Sequence, residues 1–275
     1  MCVRTVRLRS MLAALLAAPE ARLLRDTVEC LDAIKAANWS RAWVPITRSR
    51  NRMVHMQQTV RCCDTNKTKR CLLYVRNQKV MSQLLYNRIP EFFPDMKCHS
   101  GTTRHPLVPA ERRARDVVFT VVREPFAVAR SAYCEVRRRM ACPRCDMMRT
   151  PTYPRWCGAD PSGEFEAYLD SVESRRFVSS EAFHSYPQTV KTLVSYRIEV
   201  VVRADELHAG FRDLAKLVGT RFVEVNATSQ DRHTTGSDEC CFGVNPFSSR
   251  FAVRLCKLYA SDFECFGFPK PSVCQ

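Results

Sequence analysis

Two kinds of hydrophobic spacing take turns along this chain: short unbroken apolar runs, and longer stretches whose apolar residues recur on one helical face. The run 71–75 stops at Arg76-Asn77-Gln78, and 79–87 then has helical spacing through Val80, Leu84, Leu85 and Tyr86, with Pro90 as its stop. The run 117–122 ends at Arg123. Pro125 suits the first position of a helix reaching about Met140, because its missing N–H is not needed there. Ser162 is a candidate cap for a helix that aligns Phe165, Leu169 and Val172. A third strand, expected over 197–203, leads through Asp205 as N-cap into a helix with Leu207, Phe211, Leu214 and Val218 on one face, closed at Gly219. A last helix is expected over 248–262. Strands alternating with helices predict an α/β fold with a mostly parallel central sheet flanked by helices. The 275 residues accommodate an N-terminal extension over 1–65, a targeting or stem segment, and one folded domain over 66–275. Five prolines or glycines and three cysteines between 141 and 161 mark a loop insertion.

The strand ends carry the chemistry. In open parallel sheets, ligands bind in the crevice beyond the carboxyl ends of the strands. Arg123 stands at such an end, and Ser131 lies about two turns into the helix that follows. A permanently charged fork and a hydroxyl suit a phosphate group. Lys79 and Ser82 sit where the preceding helix begins, and free N–H groups there also favour an anion. Arg76 and Arg130 are nearby alternatives.

These segments resemble the Golgi carbohydrate sulfotransferases (sulfotransferase family 2-like), which use 3′-phosphoadenosine-5′-phosphosulfate (PAPS). Arg123-x-Pro125 followed by Ser131-x-Tyr133 is similar to their 3′-phosphate segment. Tyr74-Val-Arg-Asn-Gln-Lys-Val-Met-Ser-Gln-Leu-Leu85 resembles their 5′-phosphosulfate loop, with Gln78, Met81 and Gln83 in place of a proline, a small residue and a threonine. His184-x-x-Pro187-Gln188, Val202-Arg203-x-x-Glu206-Leu207 and Tyr259-x-x-Asp262-Phe263 follow in the family's order. The resemblance implies a P-loop-NTPase-like sulfotransferase fold and transfer of a sulfuryl group from PAPS to a hydroxyl of a glycan. It implies PAPS-binding roles for Arg76, Lys79, Val80, Ser82, Gln83, Arg123 and Ser131. Lys79 is implied to act on the leaving bridge oxygen. The family places its base between the two phosphate motifs, which points to His99 or His105; His99 is preferred, and an imidazole suits the task. No metal is implied. A catalytically inactive nucleotide- or glycan-binding protein of the same fold is the alternative, suggested by Met81 and Gln83.

Charge and cysteine content agree with that picture. The net charge is +15, and between Lys97 and Arg155 thirteen Lys or Arg face five Asp or Glu. Such a field favours an anionic partner, here an acidic glycan. No nucleic-acid-binding motif is present, so no nucleic-acid partner is expected. Fifteen cysteines, and sequons at Asn38, Asn66 and Asn226, fit an oxidising secretory compartment such as the Golgi lumen. Cys142 and Cys145, with Cys134 and Cys157, could ligate zinc; disulfides are the preferred reading. Arg4, Arg7 and Arg9 before the apolar stretch 11–18 have the order of a signal sequence or of a small amphipathic helix, so membrane association through this segment is an open expectation.

Overall fold

A computed structural model describes residues 21–23, 57–64, 70–77, 80–103, 116–140, 161–174, 184–192, 198–226 and 248–275. In chain order the elements are strands β1 (Ala21–Leu23), β2 (Gln57–Asp64) and β3 (Cys71–Val75), then helix α1 (Ser82–Phe92). Strands β4 (Met96–Thr103) and β5 (Asp116–Val122) follow, then helices α2 (Pro125–Met140), α3 (Pro161–Glu173) and α4 (Gln188–Thr192). Strand β6 (Val200–Arg203) and helices α5 (Leu207–Val218), α6 (Ser249–Leu258) and α7 (Ala260–Phe266) follow among the described residues. These residues form two compact units, one from the described parts of 1–29, 56–123 and 192–232, the other from those of 30–55, 124–191 and 233–275.

The first unit holds a six-stranded sheet in the order β1-β6-β5-β3-β2-β4. At its centre β3, β5 and β6 run parallel, with Leu72 opposite Val117 and Phe119 opposite Val200. The other three pairings, β1 on β6, β2 on β3 and β4 on β2, are antiparallel. The fold is therefore α/β as expected, but its sheet is mixed rather than mostly parallel. The difference comes from three strands the apolar pattern did not announce, β1, β2 and β4. Of these, β1 and β2 lie in the stretch assigned to the N-terminal extension.

Every residue of β3 and β5 is buried, as strands covered on both faces require. Alternation sorts Leu72, Tyr74, Val117, Phe119, Val121, Val200 and Val202 onto one face. Helices α1 and α5 pack there. Phe211 of α5 meets Phe92 edge-on at 5.0 Å and Phe119 edge-on at 5.8 Å. Gly210 lets α5 approach β6, since a Cβ there would lie 2.5 Å from Val202 Cγ1.

Several boundaries differ from expectation for physical reasons. Helix α1 starts at Ser82 rather than Lys79 and continues through Pro90 to Phe92. Asp205 does not cap α5. Its carboxylate instead accepts from the Arg203 guanidinium at 2.6 and 3.1 Å, while Ala204–Glu206 make a 3₁₀ turn. Gly219, at φ 72°, closes α5 as expected.

In the second unit, Pro125 opens α2 and the Glu124 carboxylate accepts from the amides of Phe126 (3.0 Å) and Ala127 (2.7 Å). Helix α3 buries Phe165, Leu169 and Val172, and Phe165 packs edge-on against Tyr133 at 4.8 Å and Phe251 at 5.1 Å. Arg254 of α6 pairs with Asp170 (2.6 Å) and Glu173 (2.7 Å) of α3. The single helix expected over 248–262 is two, α6 and α7, which meet at Tyr259. The loop insertion at 141–160 lies outside the described residues.

Candidate functional site

Because β3, β5 and β6 are parallel neighbours, the chain leaves all three at one end of the sheet. Val75 lies opposite Thr120, and Val122 opposite Arg203. An arginine stands at each exit: Arg76 after β3, Arg123 after β5, and Arg203 at the end of β6. Two further contacts fix the β3 exit against β5. The buried Asn77 donates its Nδ2–H to the carbonyl of Val121 at 3.0 Å, and Thr120 Oγ1 donates to that of Val75 at 2.9 Å.

The three guanidiniums have different surroundings. Arg76 is half-buried, 5.6 Å over the Tyr86 ring. Burial lowers its pKa, while Tyr74 and Tyr86 act in the opposite direction; an arginine remains a cation through such a shift. Arg203 is held by Asp205, whose hydrogen bond raises the arginine pKa; the same bond lowers that of Asp205. Arg123 is exposed. Arg203 belongs to the Val202-Arg203-x-x-Glu206-Leu207 motif but has no role assigned from the sequence, although it ends the apolar run 200–202 just as Arg123 ends 117–122.

The loop from β3 to α1 is the second part of this end. Val80 is buried, and Met81 takes the left-handed conformation, φ 49° and ψ 23°. Met81 is the one described non-glycine residue with positive φ. It supplies no side-chain cap, and no acidic residue occupies the first turn of α1. Among the described residues no carboxylate caps this first turn, unlike that of α2, which Glu124 engages. Ser82 and Gln83 open α1; Gln78 and Lys79 lie outside the described residues.

The remaining candidates lie on other elements. Ser131 is half-buried on α2, in the second unit, whereas Arg123 is the last residue of β5's segment of the first. His99 is exposed on the edge strand β4, opposite Arg61, which also lies opposite Leu73 of β3. That register puts it about two strand spacings, or ~10 Å, to the side of β3 and about 10 Å short of Arg76 along the strand. His105 lies outside the described residues. His208 is half-buried between Phe92 and Phe222, with ring centroids at 6.1 and 6.3 Å.

Two motif segments meet within the second unit. The fully buried Asp262 carboxylate accepts from the amides of Gln188 and Thr189, both at 2.8 Å, and from the Thr189 hydroxyl. Burial raises its pKa, and the Thr189 and Gln188 donors act against that rise. Tyr259 donates its hydroxyl proton to the carbonyl of Ser185 at 2.7 Å. Gln188, Tyr259 and Asp262 thus cap and tether a helix, a role visible only once the two segments are together.

Among the described residues, no cluster of three or more His, Cys, Asp or Glu is arranged to hold a metal ion, and no helix is long and apolar enough to cross a membrane. Cys142, Cys145 and Cys157 lie outside those residues, as does the segment 4–18, and Cys134 is disulfide-bonded. Comparison of the chain with protein-family models, with curated proteins and with solved structures gave no match.

Proposed function

We propose that this protein is a PAPS-dependent carbohydrate O-sulfotransferase. The observation that carries the reading is the parallel pairing of β3 with β5. Two loops that resemble a nucleotide's two phosphate-binding segments leave the same end of one sheet, on adjacent strands. The residues suit PAPS. Arg76 and Arg123 supply cations at that end, and the first turn of α1 offers amides without a competing carboxylate.

In this reading Arg123 holds the 3′-phosphate. The loop that holds Val80, Ser82 and Gln83 is assigned, with Arg76, to the 5′-phosphosulfate. Lys79 neutralises the bridge oxygen as the acceptor hydroxyl attacks sulfur in line. His99, exposed on β4, is the base in this reading and takes the proton of the acceptor hydroxyl. The acceptor is a glycan, acidic in view of the +15 charge, and the setting is the Golgi lumen or another secretory compartment.

A second reading, binding without transfer, is favoured by Met81, whose side chain occupies the loop where the family has a small residue. One experiment separates the two: transfer of labelled sulfate from PAPS to a panel of glycans, run beside binding of adenosine 3′,5′-bisphosphate. Transfer should appear in the wild type. Arg123→Ala should weaken nucleotide binding about tenfold to a hundredfold through loss of a charged contact. Lys79→Ala should lower turnover about a hundredfold or more. Nucleotide binding without transfer selects the second reading. Absence of both refutes the family assignment.

A further inference from the structure

The sequon Asn226-Ala-Thr228 is unused by the proposed catalysis, and its setting in the fold is informative. Asn226 follows α5 at the end of 220–226, a stretch with neither helix nor strand. It is exposed. Its backbone carbonyl accepts from Arg88 Nη1 at 3.2 Å, so the main chain is anchored to α1. Among the described residues its side-chain amide makes no hydrogen bond, and Ala227 and Thr228 of the sequon lie outside those residues.

Val223 is exposed, an apolar side chain three residues from Asn226, and Phe222 is half-buried beneath Arg212 at 5.6 Å. The cysteines give an independent indication of compartment. Cys62 and Cys98, Cys63 and Cys71, and Cys256 and Cys274 stand at disulfide distance, with sulfurs 2.02, 2.16 and 1.95 Å apart. Such pairing belongs to chains that pass through an oxidising lumen, where oligosaccharide is also attached.

We infer that Asn226 is an N-glycosylation site. The bond formed joins the Asn226 Nδ2 to the reducing-end carbon of a preassembled oligosaccharide, the lipid pyrophosphate that carries it leaves, and the amide gives up one proton. The inference does not depend on sulfuryl transfer and stands if that reading fails.

The test uses the full chain expressed in cultured animal cells, with Asn38→Gln and Asn66→Gln to silence the other two sequons. Electrophoretic mobility is compared before and after treatment with a peptide N-glycosidase. One glycan's shift, removed by the glycosidase, is expected. It should vanish on adding Asn226→Gln and equally on adding Thr228→Ala, which keeps the asparagine and so guards against a folding defect of the first variant. A doubly silenced chain whose mobility the glycosidase does not change would overturn the inference. So would a shift that survives Thr228→Ala.

Discussion

Met81 sits in a backbone conformation that L side chains avoid, because Cβ approaches the carbonyl oxygen that follows it. The cost is about 1–2 kcal/mol, and neighbours on both sides sustain it: Val80 is buried, and the amide of Leu85 donates to the Met81 carbonyl at 3.0 Å. Glycine has no such penalty but loses more chain entropy on folding. Met81→Gly should therefore stabilise the protein by a net ~1 kcal/mol, read as a higher urea midpoint at unchanged slope. Since Met81 is 40% exposed, the substitution removes no core packing. A loss of stability would mean that the methionine side chain contributes more than its strain. The same variant bears on function: if Met81 crowds the phosphate side of the loop, nucleotide affinity rises along with stability. At this scale the sequence showed Arg123 and Met81 because each breaks a local pattern. It could not show Glu124 as the cap of α2 or Asp262 as the cap of α4, because a carboxylate's partner is set by the backbone it meets.

The elements that the apolar pattern announced are those buried on two faces or along one full stripe. β3, β5 and α5 were legible because Cys71–Val75 and Val117–Val122 are unbroken and Leu207, Phe211, Leu214 and Val218 recur on one buried side. β2 and β4 were not, for a reason written in their residues. Gln57–Asp64 and Met96–Thr103 are antiparallel strands towards one edge, and the inward positions include Cys62 and Cys98 rather than a run of large aliphatics. Half-exposed edge strands carry little hydrophobic signal. The α5–β6 contact gives a sharp test of packing at this scale. Gly210→Ala gains about 1 kcal/mol of helix propensity but drives a methyl into the stiff, buried Val202. Overpacking of this kind costs about 1–3 kcal/mol, so the variant should be less stable than wild type. Adding Val202→Ala should cost less in the Gly210→Ala background than in the wild type, because the cavity it opens is then filled. Simple additivity of the two substitutions in a double-mutant cycle would show that the contact is not the cause.

Across the first unit, cysteines join the antiparallel edge to the parallel centre. Cys62 lies directly opposite Cys98 of β4, and its neighbour Cys63 pairs with Cys71 of β3, so the two bridges leave β2 from opposite faces. In the second unit, Cys256 of α6 pairs with Cys274 near the chain end. Loop closure ranks the three. Sequence separations of 36, 18 and 8 residues correspond to about 4, 3 and 2.5 kcal/mol removed from the unfolded chain's entropy. Paired Cys→Ala variants should therefore lose stability in that order. The loss should also be local. Without the Cys62–Cys98 and Cys63–Cys71 bridges, amide hydrogen exchange should rise in β2 and β4, which lie towards the edge and are partly exposed. It should rise least in β5, which is buried throughout and flanked by β3 and β6 on parallel ladders. If exchange in β5 rises as much as in β2, the edge and the centre open together and the bridges stabilise the whole sheet instead. If only the edge loosens, the strand ends that carry Arg76 and Arg123 should hold their geometry in the reduced protein, and nucleotide binding should survive reduction even as the edge loses protection.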